Sequence, residues 1–388
     1  MKTIFENGTI CTAVKMIPDG MVIVDDDGKI VYVGAKADAP AAEGKRIDLA
    51  GRILSPGFID IHTHGGFGIT FGDGENLKKD LVHYARSIKD KGVTGFLMSV
   101  VQGTADEEVD MIAEYAKMLP GFDEGAEALG LHLEGPFLCK EKKGAFNPDW
   151  LREPTTEEMG RYLKAAKGWA KQMTIAPEFA HSAEVAAMMQ EAGCVAALGH
   201  TNTSYEVAAE ALRGDFTHIT HTYNAQRGFN HREPGVVGAI LDSENVTAEL
   251  IADTIHVHPG AMITLVRCLG TDRVVAITDA MAAAGFGDGD YELVGKPVSV
   301  KNGRATQADG TIAGGASTLN ECVDNLHKLV GVSLLEAIKM ASLNPAKVIG
   351  EDSRIGSIET GKDANLIMID EDVNVSLTMV KGKVIFEK

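Results

Sequence analysis

The chain has 388 residues, of which 45% are hydrophobic, and its formal net charge is −18. This composition supports a large core and indicates two domains, or one large α/β domain with an appendage. The negative charge, without any run of Lys or Arg, argues against a nucleic acid as partner. No apolar stretch approaches the roughly 20 residues that a membrane span needs. The N-terminus lacks the apolar core of a signal peptide, so we expect a cytoplasmic location with no membrane partner.

The two ends of the chain are both rich in predicted β-strands. The first part contains "TIFENGTI" and "MVIVDDDGKIVYVG", with an Asp/Gly turn between β-rich runs. The last part contains "ANLIMID" and "VSLTMVKGKVIF", which alternate or run apolar around polar turns. We therefore predict a small sheet domain built from both termini, residues 1–54 and 355–388, around a different domain at 55–354.

The middle of the chain alternates short apolar runs with amphipathic segments such as "ADEEVDMIAEYAKML" and "SYEVAAEALRGD". This alternation is typical of βα units and a parallel sheet. The candidate strands are "GFIDIHTHG", "GVTGFLMSV", "ALGLHLEG", "QMTIAPE", "CVAALGHT", "HITHTYNA", "TAELIADTIH" and "RVVAITDAM". Eight such units predict an α/β fold, a closed (β/α)8 barrel of the TIM type.

Polar residues occur repeatedly at the C-terminal ends of these candidate strands, which form the catalytic rim of such barrels. A single His or Asp there is more often an ordinary hydrogen-bonding group. Several on different strands, all with nitrogen or oxygen donors, instead predict a site for Zn²⁺, Fe²⁺, Co²⁺ or Mn²⁺. The predicted metal ligands are His62, His64, Glu134, His200, His221 and Asp279, with Glu134 able to bridge two ions.

Such a metal site suits a hydrolase. A divalent metal with an open coordination position lowers the pKa of water to about 7. A nearby carboxylate can then take a proton and return it to a leaving group. Asp279 is the last polar residue of "VVAITDA", at the end of the eighth strand, and it is the predicted general base and acid. His132 shares a face with Glu134 but lies deeper, so we expect it either to be structural or to support the ligands.

With these residues assembled, the sequence resembles the amidohydrolase superfamily, and within it the family that deacetylates N-acetylglucosamine 6-phosphate. The motifs that carry the resemblance are "PGFIDIHTHGG", "LHLEGPF", "KKGAFNP", "LGHT", "THTYNA", "NHREPG", "ELIADTIHVHP", "ITDAM" and "DGTIAGG". The His-x-His pair marks only the superfamily, whereas "HLEGPF" together with "HREPG" is specific to the family. The resemblance implies a (β/α)8 barrel with a small β-sandwich from both chain ends.

The resemblance also implies roles for individual residues. Glu134, His200 and His221 would hold the catalytic metal, and the retained His62 and His64 would allow a second one. The sugar phosphate would be bound by His256 and by Arg232, which reaches the neighbouring subunit's site in the family and so implies a homodimer. The remaining predicted substrate contacts are Ala145, Asn224, Ala225, Ala313, Gly314 and Gly315.

The sequence departs from the family at Phe146, where many members carry a histidine that can polarise the carbonyl. It also has Gln226 and Arg227 where we expect a more apolar pair. The nearest alternative is therefore the same reaction on N-acetylgalactosamine 6-phosphate. Further alternatives are a dihydroorotase-like or D-aminoacylase-like hydrolase and a non-catalytic dihydropyrimidinase-like scaffold. Against these stand the absence of a lysine at the fourth strand end and the full set of six metal ligands.

Overall fold

The computed structural model describes residues 1–73, 76–100, 103–293 and 295–388. The strands are β1 (Thr3–Cys11), β2 (Met16–Val24), β3 (Ile30–Ala35), β4 (Lys45–Asp48), β5 (Ile53–Pro56), β6 (Phe58–Thr63), β7 (Gly65–Gly66), β8 (Ile69–Thr70), β9 (Val93–Val100), β10 (Glu127–Glu134), β11 (Ala170–Ile175), β12 (Val195–Leu198), β13 (Phe216–Ile219), β14 (Thr247–Ile251), β15 (Val274–Ile277), β16 (Gly289–Leu293), β17 (Lys296–Lys301), β18 (Arg304–Thr306), β19 (Leu366–Ile369), β20 (Val375–Val380) and β21 (Lys383–Glu387).

The α-helices are α1 (Leu77–Ser87), α2 (Ala105–Met118), α3 (Thr156–Ala166), α4 (Ser182–Glu191), α5 (Tyr205–Arg213), α6 (Gly235–Asp242), α7 (Pro259–Leu269), α8 (Leu319–Asn325), α9 (Leu334–Met340) and α10 (Leu343–Val348). Single 3₁₀ turns cover Lys36–Asp38, Ile88–Lys91 and Lys140–Lys142, and a π turn covers Leu326–Val330. None of the described helices combines the length and apolarity needed to cross a bilayer.

The centre of the molecule is a parallel barrel. Within the described ranges, eight parallel strands follow one another in chain order from β6 through β9 to β15. The last strand returns to the first: the amide of Asp279 donates to the His62 carbonyl (2.9 Å), and the amide of His64 donates to the Ala280 carbonyl (2.8 Å). The predicted (β/α)8 barrel is confirmed, and its closing seam carries three of the predicted metal ligands.

The barrel strands and their helices follow from the pattern of apolar residues. Every residue of β9 and β10 is buried, as expected for parallel strands that are covered on both faces. Helix α2 begins with a capping box in which Thr104 and Glu107 satisfy each other's backbone amides. The same helix buries Met111, Ile112 and Tyr115, which join the main apolar core. This layer of helices fixes the strands and therefore the positions of the strand ends.

The terminal strands form a separate sheet in the order β21, β20, β19, β5, β1, β2 and β3, with β4 pairing with β1. It encloses its own apolar cluster, which includes Phe5, Val22, Leu54 and Leu377. Strand β5 lies between β1 and β19 and so joins the two ends of the chain. The predicted sheet built from both termini is confirmed, while the domain boundaries at residues 54 and 355 stay a prediction.

Two parts of the mouth differ from the strand pattern that the sequence predicts. The candidate strand "HITHTYNA" is a strand only to Ile219, because the backbone then turns through positive φ at His221, Tyr223 and Ala225. A three-stranded hairpin sheet, β16 to β18, is inserted after β15. The Lys296 side chain of this insertion donates to the Ala145 carbonyl (3.0 Å), which places the insertion beside the mouth.

Candidate metal centre at the mouth of the barrel

At three of the predicted ligands, the local backbone conformation directs the side chain toward the mouth of the barrel. His200, His221 and Asp279 each lie two residues beyond the end of a barrel strand, with φ values of 47°, 26° and 48°. A left-handed backbone at a non-glycine residue is costly and is retained where the surrounding structure enforces it, often at functional sites. Because the backbone bends directly after each of these three strands, the side chains converge toward Glu134, the last residue of β10.

The first group of converging side chains consists of His62, His64, Glu134 and Asp279. His64 Nε2 lies 2.7 Å from Glu134 Oε2 and 3.4 Å from Asp279 Oδ1. His62 Nε2 lies 3.4 Å from Glu134 Oε1 and 3.4 Å from Asp279 Oδ1. All four side chains are largely or fully buried, so this is an interior polar cluster.

The second group consists of Glu134, His200 and His221. Glu134 Oε1 lies 3.2 Å from His200 Nε2 and 2.9 Å from His221 Nε2. The two imidazole nitrogens are themselves only 3.0 Å apart. His200 is oriented by its other nitrogen, since Nδ1 lies 2.6 Å from the carbonyl oxygen of Lys142. Glu134 belongs to both groups, as expected for a bridging carboxylate.

These donors fit a divalent metal ion. His62 Nε2 is buried and has no hydrogen-bond partner within the part of the chain that is described, although two carboxylate oxygens lie 3.4 Å away. A buried nitrogen without a partner is unfavourable, and coordination to a cation between it and those oxygens would satisfy it. In the second group, two imidazole nitrogens face one carboxylate oxygen, which is also a typical nitrogen and oxygen donor set.

The charges in the cluster depend strongly on one another. Burial opposes a charge on His62, but Glu134, Glu249 and Asp279 raise its pKa well above the ordinary value. Burial likewise opposes a charge on His64, whereas its hydrogen bonds to Asp279 and Glu134 raise its pKa to about 9. Burial raises the pKa of Asp279, but His62 and His64 outweigh it and lower that pKa. In the absence of a metal ion, protons on the imidazoles therefore balance the carboxylates.

The layer beneath the ligands contains one residue that the sequence predicted and one that it missed. His132 is buried between Ser99 Oγ (2.9 Å from Nδ1) and Thr174 Oγ1 (2.8 Å from Nε2), and its ring packs edge-on against that of His62, with the centroids 4.4 Å apart. Glu249 on β14 was missed, although its side chain is fully buried and lies 2.8 Å from His62 Nδ1. The available signal was a carboxylate in the middle of the apolar run "TAELIA".

A cavity of about 280 Å³ opens onto both groups of ligands. Five of the predicted substrate contacts line it: Ala145, Asn224, Ala225, His256 and Gly314. Ala313 instead packs in the buried cluster behind Gly314, next to Met281. The amide of Gly315 donates to the Asp279 carbonyl (2.6 Å), so this residue supports the Asp279 backbone. A Cβ atom at Gly315 would lie 2.5 Å from the Thr278 carbonyl oxygen, which explains the glycine there.

His256 is held in a defined orientation at the cavity wall. Its Nδ1 lies 2.7 Å from Asp253 Oδ2, and Asp253 Oδ1 also accepts from the His256 amide (2.9 Å). Burial opposes a charge on His256, but Asp253 and Asp279 outweigh it and raise the pKa, while Arg304 acts in the opposite direction. A cationic imidazole whose Nε2 is available for a ligand suits contact with an anion.

Arg232 does not line the cavity of its own chain. It lies in an exposed loop, with its amide hydrogen-bonded to Asn230 Oδ1 (3.0 Å), and it borders a separate depression together with Tyr205 and Glu233. Phe229 in the same loop is 61% exposed, which is unusual for a large apolar side chain. The loop therefore places a cation and an exposed aromatic ring on the surface, outside the metal centre.

Phe146 occupies the wall directly above the ligands. Its ring centroid lies 5.3 Å from that of His200 and 6.3 Å from that of His64. The side chain is largely buried with Leu138 and Leu151 and lines the cavity. Because a phenyl ring has no hydrogen-bond donor, this wall is apolar where it faces the two imidazoles.

Comparisons with known proteins agree with this architecture. The Amidohydrolase family model matches residues 53–385. The chain is 33% identical over 380 residues to an N-acetylglucosamine-6-phosphate deacetylase of Bacillus subtilis (strain 168), covering 97% of this chain and 95% of the relative. It is 34% identical over 333 residues to an N-acetylgalactosamine-6-phosphate deacetylase of Escherichia coli O157:H7, covering 85% of this chain and 87% of the relative.

The same similarity extends to solved structures. A crystal structure of N-acetylglucosamine-6-phosphate deacetylase from Pasteurella multocida superposes with a TM-score of 0.91 at 33% identity, covering 99% of both chains. The similarity therefore includes the barrel, the terminal sheet and the inserted hairpin sheet of this protein. The chain belongs to the amidohydrolase family, and within it to the family of the N-acetylglucosamine-6-phosphate deacetylases.

Proposed function

We propose that this protein hydrolyses the acetamido group of N-acetyl-D-glucosamine 6-phosphate to give D-glucosamine 6-phosphate and acetate, a step of amino-sugar catabolism. The observation that carries the proposal is the convergence of Glu134, Asp279 and four imidazoles on one cavity. The names and similarity of the relatives support the amide and the phosphorylated sugar as substrate features. We also infer a cytoplasmic location, which agrees with a metabolic role of this kind.

The reaction would depend on one or two divalent metal ions, with Zn, Fe, Co and Mn as the candidates. Glu134, His200 and His221 would hold one ion, and the two overlapping ligand groups favour a second ion near His62 and His64. When bound, such a cation supplies Lewis-acid polarisation of the amide carbonyl and makes water more acidic. Phe146 cannot donate a hydrogen bond to the carbonyl, so polarisation must come from elsewhere in the site.

Asp279 would move the proton that the reaction requires. An aspartate carboxylate is ionised at neutral pH, so it is ready to accept a proton from the attacking water. As the oxygen of water bonds to the acetyl carbon, the carbon–nitrogen bond breaks and the nitrogen must gain a proton. Asp279 would return the proton it has taken to this nitrogen, which leaves acetate and the free amine.

Binding of the sugar phosphate would involve two chains. His256 at the cavity wall offers a cationic imidazole for the phosphate, and Asn224, Ala225, Ala145 and the loop at Gly314 border the space for the sugar. Arg232 lies outside its own cavity in an exposed loop beside Phe229. We therefore place Arg232 at the site of a neighbouring copy, in a homodimer. Its guanidinium would supply paired, charge-assisted hydrogen bonds to the phosphate.

The galacto epimer is the second candidate substrate. The relative from Escherichia coli O157:H7, an N-acetylgalactosamine-6-phosphate deacetylase, is 34% identical to this chain, and the N-acetylglucosamine-6-phosphate deacetylase from Bacillus subtilis is 33% identical. Epimers at one hydroxyl differ by a hydrogen bond or two at the sugar. Of the departures from the family, Phe146 lines the cavity, whereas Arg227 borders the separate depression beside Arg232.

The test is acetate release by metal-supplemented protein with N-acetylglucosamine 6-phosphate, its galacto epimer and unphosphorylated N-acetylglucosamine in parallel. Fast turnover of the first compound alone would establish the proposed substrate. A higher kcat/KM for the galacto compound would transfer the assignment to the epimer. If all three compounds stay intact while bound metal is demonstrated, the proposed substrate class is wrong.

A further inference from the structure

Glu249 stands out among the residues beneath the metal centre. It lies within β14, and its side chain is fully buried. Among the described residues, its carboxylate contacts Nδ1 of His62 at 2.8 Å, Nε2 of Gln172 at 2.7 Å, Nε2 of His218 at 3.3 Å and the amide nitrogen of His221 at 2.9 Å, and none of these partners is a Lys or an Arg. A buried carboxylate with such partners needs an explanation beyond core packing.

The two oxygens of this carboxylate have different partners. Oε1 accepts from the Gln172 side chain and lies near His218, neither of which lines the cavity. Oε2 accepts from His62 Nδ1 and from the amide of His221. One oxygen therefore contacts a member of each metal-binding group, His62 in the first and His221 in the second.

Each bond to Oε2 fixes a feature that a metal ion would need. A proton on His62 Nδ1, donated to Glu249, leaves Nε2 as the nitrogen that faces Glu134 and Asp279. The bond to the His221 amide holds the backbone at the residue whose φ is 26°, which directs the imidazole toward Glu134. The geometry thus combines control of an imidazole tautomer with control of a strained backbone.

We propose that Glu249 is a positioning residue that preorganises both metal-binding groups through a single carboxylate oxygen. Carboxylates that hydrogen-bond to the outer nitrogen of a ligating histidine fix its tautomer and orientation, and their loss typically costs 10–100-fold in metal affinity. The proposal rests on the metal centre proposed above, and it assigns a role to a residue that would touch neither the metal nor the substrate.

The test compares Glu249→Gln with Gln172→Met. The first variant keeps the shape of the side chain but removes the charge and one acceptor. Because Gln172 Nε2 and His218 lie at Oε1, the amide oxygen of the variant takes that position and its NH2 group faces His62 and the His221 amide, from which it cannot accept a hydrogen bond. The second variant removes a partner of Oε1 and leaves both bonds to Oε2 intact. It therefore serves as a control for disturbing the same buried network.

The readout is the affinity for Zn²⁺, measured by competition with a chromophoric chelator on the full chain, with far-UV circular dichroism to confirm folding. We expect Glu249→Gln to weaken Zn²⁺ binding about 10–100-fold, and Gln172→Met to stay within about threefold of the wild type, as for a variant that leaves the ligands in place. If the folded Glu249→Gln variant bound every Zn²⁺ ion as tightly as the wild type does, the proposal would be overturned. If the wild-type protein bound no Zn²⁺ at all, the proposed metal centre itself would fail.

A second measurement applies even if Glu249→Gln does not fold. Long-range ¹⁵N–¹H spectra of the histidine-labelled, Zn²⁺-loaded wild type report which nitrogen of each imidazole carries a proton. We expect a proton on His62 Nδ1 and none on Nε2. A proton on His62 Nε2, with Nδ1 deprotonated, would show that Glu249 does not set the tautomer and would overturn the proposal.

Discussion

The two ends of strand β10 hold buried carboxylates in contrasting surroundings. At the start of the strand, Glu127 lies 3.0 Å from Arg354 Nη1 and 2.5 Å from Lys381 Nζ, and it accepts from Asn365 Nδ2 (2.7 Å). At its end, Glu134 faces only imidazoles among the described cationic side chains, as the salt bridges of its two oxygens show. Both residues are nearly inaccessible to solvent.

This difference separates a carboxylate neutralised within the chain from one that could bind a metal ion. Arg354 and Lys381 are permanent cations at neutral pH, so Glu127 is neutralised in the folded protein without any ligand. Imidazoles can lose their protons, and Glu134 can then be neutralised by a metal ion instead. The contrast predicts that changes at the mouth affect catalysis and ligand binding, whereas changes at the other end affect the free energy of unfolding.

The largest effect is expected for Asp279→Asn. The amide cannot take a proton from water, so we expect kcat to fall by about 10²–10⁴-fold, the usual contribution of a general acid or base. The ion held by Glu134, His200 and His221 should still bind, because none of these three ligands is changed. Steady-state acetate release and elemental analysis of the same sample check both parts. Near-normal kcat would remove Asp279 from the proton transfer.

Arg232→Ala should have the next largest effect. Loss of a charge-assisted pair of hydrogen bonds is worth about 1.5–3 kcal/mol, which corresponds to a rise in KM of roughly 10–100-fold for the phosphorylated substrate. The unphosphorylated sugar is the control, and its kinetics should not change. An equal effect on both sugars would refute the assigned role.

The same variant tests the homodimer. In mixed dimers of Arg232→Ala and Asp279→Asn chains, an arginine that acts in the neighbouring site would leave one site with both an intact Asp279 and an intact Arg232. Activity at low substrate concentration should then exceed that of either variant alone. If Arg232 acted within its own chain, mixing would restore nothing.

A smaller, pH-dependent effect is expected for Asp253→Asn. Asp253 raises the pKa of His256, so the imidazolium persists above its ordinary range and is lost only as the pH rises through that raised value. Without the carboxylate the pKa falls, and the increase of KM with pH should move to lower pH. Profiles of KM between about pH 6 and 9 for the phosphorylated substrate would measure the shift. Superimposable profiles for variant and wild type would exclude His256 as the titrating contact.

The smallest effect on catalysis is expected for Glu127→Gln at the opposite end of the strand. Removing the charge leaves Lys381 without its buried partner, and the free energy of unfolding should fall by about 1–3 kcal/mol. Arg354 keeps Asp363 at 2.8 Å, which limits the loss. Denaturant unfolding measures the change, while kcat/KM and metal content of the folded protein should match the wild type. Loss of metal from this variant would contradict the contrast between the two ends.

The sequence predicted those parts of the molecule that follow from periodicity. Alternate positions place His62, in β6, and His64, one residue beyond its end, on one side of the chain, and the order of apolar runs and amphipathic helices predicts a closed parallel barrel. Polar residues at strand ends then had to meet at one mouth, because parallel strands all end on the same side. Each of these predictions requires only a local sequence pattern and the known topology of a parallel barrel.

The parts that the sequence did not predict depend on backbone conformation and on long-range contacts. Nothing in "LGHT" or "ITDAM" indicates that His200 and Asp279 adopt positive φ, since this conformation is uncommon for non-glycine residues even though His and Asp adopt it more often than most. The inferred role of Glu249 depends on its contact with His62, which lies 187 positions earlier in the chain. The hairpin sheet that begins at Gly289 is an insertion with no counterpart in the barrel repeat, so the pattern of βα units gives no sign of its position beside the mouth.

The central claim is that the carboxylates and imidazoles at the mouth act by holding divalent metal ions. The most direct measurement is acetate release from N-acetylglucosamine 6-phosphate by protein stripped with a chelator and then titrated with Zn²⁺, Fe²⁺, Co²⁺ or Mn²⁺. We predict negligible turnover in the stripped protein and recovery that saturates at one to two equivalents per chain, in keeping with the two overlapping ligand groups. Full turnover by protein that elemental analysis shows to be free of metal would contradict the claim.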